Sequence, residues 1–165
     1  LGCRMPDSIR KHFKKQFFFR EAVECGSSQG YAAQSLLTVE ADSYLLTADV
    51  VISQNNVDAG ILLRHDQEED FAYSYRISPG CGRLSFGMLP NFPWGQANFT
   101  NMERALYLKP GQRYHLELAV EGDVCVMYLD GVALTARMHV KKENRIGIFS
   151  ENGQVRMENV GVFTI

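Results

Sequence analysis

The sequence predicts an all-β domain, two antiparallel sheets packed as a jelly-roll sandwich, and three observations predict it. From Tyr31 onward the apolar residues recur with a period of 2 rather than 3.6. Turn signals arrive about every 8 to 15 residues, the rhythm of antiparallel strands. The length, 165 residues with 45% hydrophobic and 22% charged side chains, suits one core rather than two.

Taken in order, residues 7–19 open with Asp7-Ser8 as a cap and place Ile9, Phe13 and Phe17 one helical face apart. This spacing predicts a short amphipathic helix that needs a surface to cover its rings. It falls within a basic linker over residues 1–20, ahead of a sandwich over 21–165. Strands are expected over 44–52, 59–64 and 71–77, where β-branched and aromatic side chains gather. Pro79-Gly80-Cys81-Gly82 turns the chain into another strand over 83–86. Between Met88 and Glu103 the alternation fails, and Pro90, Pro93 and Gly95 predict a long loop of the kind that more often carries function.

The clearest pattern follows. Tyr114, Leu116, Leu118 and Val120 alternate with His115, Glu117, Ala119 and Glu121 before Glu121-Gly122-Asp123 turns the chain. Val124, Val126 and Tyr128 are expected to continue the inward face. Asp130-Gly131 can hold positive φ at both central positions of a turn and reverses the chain into residues 133–138, completing a meander. Near the C-terminus, strands over 145–149 and 155–160 flank Glu151-Asn152-Gly153, whose Asn-Gly pair predicts a hairpin. At least eight strands result, enough for two packed sheets.

A net charge of −2 conceals an asymmetry, because residues 1–20 hold six Arg and Lys against Asp7 alone and the remainder is acidic. An acidic body repels phosphate backbones, so nucleic acid is not an expected partner. Apolar runs are as short as Phe17-Phe18-Phe19, far from the roughly 20 residues a membrane span needs, and the first residues lack the pattern of a secretory leader. Cys3, Cys25, Cys81 and Cys125 are spaced too widely for a zinc ribbon or a stapled scaffold, which tilts the expectation towards free thiols and a reducing, cytoplasmic setting. No Asp-x-Asp-x-Asp run calls for calcium, and nothing calls for a cofactor.

Catalytic patterns are missing too. Glycoside cleavage on a strand needs two carboxylates at i, i+2 or i, i+4, and Glu-x-Asp-x-x-Glu is absent. Glu68-Glu69-Asp70 reads as a solvated turn between strands, with sugar hydroxyl binding as its other use. His12, His65, His115 and His139 stand apart, and no Gly-x-Ser-x-Gly exists. Sugar recognition, in contrast, needs an aromatic face together with charged or amide groups that bracket vicinal hydroxyls. Arg64-His65-Asp66 supplies the latter where one strand runs out, directly before Phe71, Tyr73 and Tyr75. Arg64 closes an apolar strand, so a salt bridge or a ligand must hold its charge. Trp94 stands in the irregular loop, either as a sugar platform or as a plug in the core. The candidate carbohydrate-binding residues are Arg64, Asp66, Tyr73 and Trp94.

Leu108-Lys-Pro-Gly-Gln-Arg-Tyr-His-Leu116, the run from Val124 to Met138, Arg145-Ile-Gly-Ile-Phe149 and Val155-Arg-Met-Glu-Asn-Val160 together resemble the C-terminal β-sandwich of glycoside hydrolase family 32. Ala59-Gly-Ile-Leu-Leu-Arg-His-Asp66 is similar to the fructan-binding module of carbohydrate-binding family 66. The likeness spans about residues 40–165. It implies a concanavalin A-like jelly roll, a non-catalytic accessory to a fructan- or sucrose-active enzyme, which binds a fructoside or steadies an N-terminal catalytic propeller. It also implies that Arg64, at the end of the Ala-Gly-aliphatic strand, contributes to a sugar site, and that residues 1–20 are the tail of a linker packed on the propeller. The propeller's own Trp-x-Asn-Asp-Pro-Asn-Gly motif has no match, and Glu24-Cys25 imitates its Glu-Cys motif by chance. The competing reading is a freestanding lectin-like or protein-interaction domain that uses the basic head and Phe17-Phe18-Phe19 for contact.

Overall fold

The computed structural model describes residues 3–54, 56–89 and 102–165. Its elements are a short helix α1 (Asp7–Arg10) and ten strands among the described residues. These are β1 (Lys15–Thr38), β2 (Ser43–Ile52), β3 (Asp58–Asp66), β4 (Phe71–Ser78), β5 (Arg83–Leu89), β6 (Met102–Ala105), β7 (Arg113–Glu121), β8 (Val124–Leu129), β9 (Val132–Arg137) and β10 (Arg145–Thr164). All pairings are antiparallel.

β1 and β10 organise the sandwich. They pair with each other from Lys15↔Thr164 to Thr38↔Arg145, while β10 changes its other neighbour halfway. Gly147–Glu151 pairs with β3, and Val155–Phe163 pairs with β2. One sheet therefore runs β6-β5-β4-β3 into the first half of β10, and the other runs from its second half through β2-β7-β8-β9. The two faces meet on a core that includes Leu46, Val50, Ile61, Leu63, Tyr75, Leu116, Leu118, Met127, Ile148 and Met157, all buried. Tyr75 is fully enclosed, and its hydroxyl donates to the Leu134 carbonyl at 2.8 Å, which satisfies the one polar atom of a large core ring.

Five expectations are corrected. Asn152-Gly153 is not a hairpin tip: with φ of 50° and 99° it bends β10 through the corner where that strand passes from one sheet to the other. The ladder skips between Ser27 and Tyr31 opposite, and the Gly30 amide donates to Asn152 Oδ1 at 2.6 Å. The expected helix spans only Asp7–Arg10, and Lys15–Arg20 already belong to β1, so the boundary at residue 20 falls inside a strand. Met5, Ile9 and Phe13 cover Leu45, Ala119, Val126, Tyr128 and Phe163 on the outer face of the second sheet, so this segment packs on the sandwich itself. An ion pair from Arg10 Nε to Glu117 Oε2 at 2.8 Å fastens it there.

On β8 the faces are the reverse of those expected, since Cys125, Met127 and Leu129 point into the core and Val126 and Tyr128 point to the N-terminal cover. Finally, the ends of the expected 88–103 loop are strand, in β5 and β6. All four cysteines are free, Cys25 and Cys125 buried, Cys3 and Cys81 exposed. No helix among the described residues is long and apolar enough to cross a membrane.

Candidate functional site

The site begins at a kink in β3. Its ladder with β4 runs regularly to Leu63↔Tyr73 and resumes at Asp66↔Phe71, so Arg64 and His65 oppose Ala72 alone. Arg64 sits at φ 52°, a left-handed conformation that a non-glycine residue adopts only when its surroundings hold it. What holds it is visible. Only 5% exposed, Arg64 donates from Nη1 to the carbonyls of Met138 at 3.0 Å and Val140 at 2.7 Å, and from Nη2 to the Gly122 carbonyl at 3.3 Å and Asp123 Oδ1 at 2.9 Å. The guanidinium thus ties the end of one sheet to the β7–β8 turn and to the chain leaving β9.

Tyr73, buried on β4, grips the same segment, its hydroxyl accepting from the Val140 amide at 2.7 Å. Two residues further on, Lys142 donates from Nζ to Asp66 Oδ2 at 2.9 Å and to Glu69 Oε2, and lies 5.6 Å from the centre of the Phe71 ring. Asp66 Oδ1 in turn accepts from the amides of Glu68 and Glu69 at 3.1 and 3.2 Å, an Asx turn that orders the β3–β4 connection. Arg64, Asp66 and Tyr73 therefore converge on residues 138–142, and Trp94 lies outside the described residues.

The result is an open concavity of about 370 Å³, with His65, Asp66, Gln67 and Glu68 on one side and Lys142, Glu143 and Arg145 on the other. Its wall residues are fixed by neighbours: Ser35 Oγ lies 3.1 Å from His65 Nδ1, and Arg145 Nε donates to Thr38 Oγ1 at 3.3 Å. The hydrogen bond from Lys142, reinforced by the Glu69 amide, holds the Asp66 carboxyl below the usual carboxylate range. Burial pushes the His65 imidazole down, and the nearby Arg145 charge adds to this, so the ring is neutral at pH 7 with one donor and one acceptor nitrogen. Such a rim, with the Lys142 and Arg145 cations facing the Asp66 carboxylate and the His65 ring, can bracket adjacent hydroxyls.

Sequence reasoning missed Lys142 and Arg145. Lys142 sits in a polar stretch after β9 with no pattern of its own, Arg145 opens a strand whose sequence marks no site, and only the fold brings residue 142 against residue 66. Among the described residues, no group of three or more His, Cys, Asp and Glu side chains is placed to hold a metal ion.

Acid should loosen this end of the molecule. Hydrogen bonds from Lys141 and then Arg64 pull the Asp123 carboxyl down to about 2, whereas an aspartate in an unfolded chain titrates near 3.9. The stabilisation from Asp123 is thus complete at neutral pH and is lost as pH falls from about 4 to about 2. Denaturant midpoints measured across that interval should decline in the native chain and decline less steeply in Asp123→Asn. Parallel profiles would contradict the assignment.

The fold is an antiparallel jelly-roll β-sandwich with an open polar concavity beside the β3–β4 connection. No family model matches the chain. It is 26% identical over 125 residues to a levanase of Bacillus sp. (strain L7), a match that covers 74% of this chain and 13% of the levanase. Among solved structures, the carbohydrate binding module CBM66 from Bacillus subtilis superposes with a TM-score of 0.68 at 18% identity, covering 89% of this chain and 91% of the module. A β-fructofuranosidase of Aspergillus kawachii superposes with a TM-score of 0.68 at 13% identity, covering 98% of this chain and 29% of the enzyme. The chain thus spans a small part of the enzymes it matches and nearly the whole of the module. The resemblance expected from its sequence holds at the level of the fold.

Proposed function

We propose that this chain is a non-catalytic, carbohydrate-binding accessory module of a fructan- or sucrose-active glycoside hydrolase, and that the concavity between His65–Glu68 and Lys142–Arg145 receives a fructosyl ring. The observation that carries the reading is the convergence of Asp66, Lys142, His65 and Arg145 around one sugar-sized hollow. Arg64 and Tyr73 act from behind as positioning residues, clamping the segment that presents Lys142. A catalytic propeller in the same parent protein is the partner that the levanase likeness supports.

The hydrogen bond from Lys142 holds the Asp66 carboxyl on the rim below the usual carboxylate range, which favours its ionised form as an acceptor for sugar hydroxyls.

Calorimetric titration with short levan and inulin oligosaccharides tests the proposal. Binding is expected in the native chain and should weaken about tenfold or more in Lys142→Ala and Asp66→Ala, each of which removes a charged hydrogen-bonding group from the rim. Unchanged thermal unfolding would show that those variants remain folded. Equal affinity in native and variant chains, or no heat with any fructan, contradicts the site.

A further inference from the structure

β1 pairs with β10 alone, so the opposite edge of a strand that reaches from Lys15 to Thr38 has no neighbour among the described residues. An open edge offers its free N–H and C=O groups to any strand of suitable sequence; natural edges are blunted by charge, proline, bulges or brevity, and this one is long and free of proline but carries charges and a bulge at Phe17. Here the first seven residues of the edge read Lys15-Gln-Phe-Phe-Phe-Arg-Glu21. Phe17 is 51% and Phe19 56% exposed. β10 supplies no residue opposite Phe17, which leaves that position outside the ladder. Glu24 further along is already bound to Arg156 at 2.7 Å, whereas Lys15, Arg20 and Glu21 enter no ion pair among the described residues.

This heptad is complementary to itself when read antiparallel. With a two-fold axis at Phe18, Phe17 faces Phe19 of a second copy, Gln16 faces Arg20, and Lys15 faces Glu21, each pair occurring twice. Moving the axis to Phe17 sets Lys14 against Arg20, and moving it to Phe19 sets Phe17 against Glu21. Cross-strand aromatic and opposite-charge pairs favour pairing, and like charges directly opposite disfavour it, so the sequence selects the axis at Phe18. A two-fold contact of this kind is isologous and closes on itself, which limits assembly to a dimer rather than a fibre.

We propose that Lys15–Glu21 of β1 is a self-association edge whose occupant is the same segment of a second copy, paired antiparallel across a two-fold axis at Phe18. The edge is separate from the sugar pocket and does not depend on its function.

Sedimentation velocity of the 165-residue chain, from low to several hundred micromolar, tests this. The native chain should show a concentration-dependent monomer–dimer equilibrium. Glu21→Lys, which sets lysine against Lys15, should raise the dissociation constant by about tenfold or more. The exchange of both, Lys15→Glu with Glu21→Lys, should restore it, a recovery that mere loss of stability in the single variant could not give. A native chain that stays monomeric throughout overturns the proposal and leaves the edge to a different polypeptide. So does a Glu21→Lys variant that dimerises like the native chain, or a double variant that fails to recover.

Discussion

Arg64→Ala is expected to destabilise the sandwich by about 3 kcal/mol or more, the cost of deleting a buried guanidinium that satisfies three backbone carbonyls. The loss comes from what stays behind. Three carbonyls, those of Gly122, Met138 and Val140, would lose a donor where water cannot fully replace it, while the part-exposed Asp123 carboxylate would keep its bonds from Lys141. Arg64→Lys should recover only part of this, because a single ammonium cannot span acceptors that the planar fork reaches together. Guanidinium denaturation measures the difference. The same experiment separates the two roles open to Arg64 from sequence, a partner in a salt bridge or a ligand for sugar. A stability change under about 1 kcal/mol with sugar binding abolished would make Arg64 a ligand-facing group and contradict its place as a clamp.

Gly60→Val should be comparably damaging for a steric reason. Gly60 lies on β3 opposite Phe149 of β10 and Arg76 of β4, where two ladders meet. An added Cβ would overlap the Tyr75 carbonyl oxygen and lie 3.3 Å from Cε1 of the Phe149 ring. The carbonyl is backbone and cannot swing aside. Phe149 is enclosed as well, stacked by Tyr31 with ring centroids 5.9 Å apart and approached by the Arg76 guanidinium at 5.5 Å. Relief therefore requires β3 and β4 to separate, and about 3 kcal/mol or more is expected, at the upper end for overpacking. Gly60→Ala should lie between valine and the native chain. Denaturant midpoints for both variants check this, and an alanine variant within about 0.5 kcal/mol of native stability would mean that the strands yield more easily than their packing implies.

The parts of the fold legible in the sequence are those whose information is local. β7 and β9 follow from alternation, and the extent of β8, though not which of its faces turns inward, follows from turns that need positive φ; the structure places Gly122, Asp130 and Gly131 at 60°, 46° and 78°. β2, β3 and β4 follow from dense β-branched and aromatic runs. β1 escaped notice for a physical reason: as an edge it is exposed on much of both faces from Lys15 to Glu21, so no alternation marks it. The helical spacing of Ile9, Phe13 and Phe17 then suggested one element where the chain builds two. Asn152-Gly153 misled in another way. Its positive φ was correctly signalled, but whether such a pair closes a hairpin or bends one long strand depends on β1, more than a hundred residues away in sequence. Of the proposed site, Arg64 and Asp66 could be chosen because they are polar groups where an apolar strand runs out, and Tyr73 because it is an aromatic on the next strand. Lys142 and Arg145 could not, since their proximity to Asp66 exists only after the sheets close.

Amide chemical-shift mapping of the isotopically labelled chain during titration with a short fructan oligosaccharide tests the central claim most directly. A hollow shaped by His65, Asp66, Lys142 and Arg145 predicts saturable shifts concentrated at residues 65–68 and 142–145, with the β1 edge at Phe17 and Phe19 undisturbed. Absence of any shift at saturating sugar, or shifts gathered on another face of the sandwich, would contradict it.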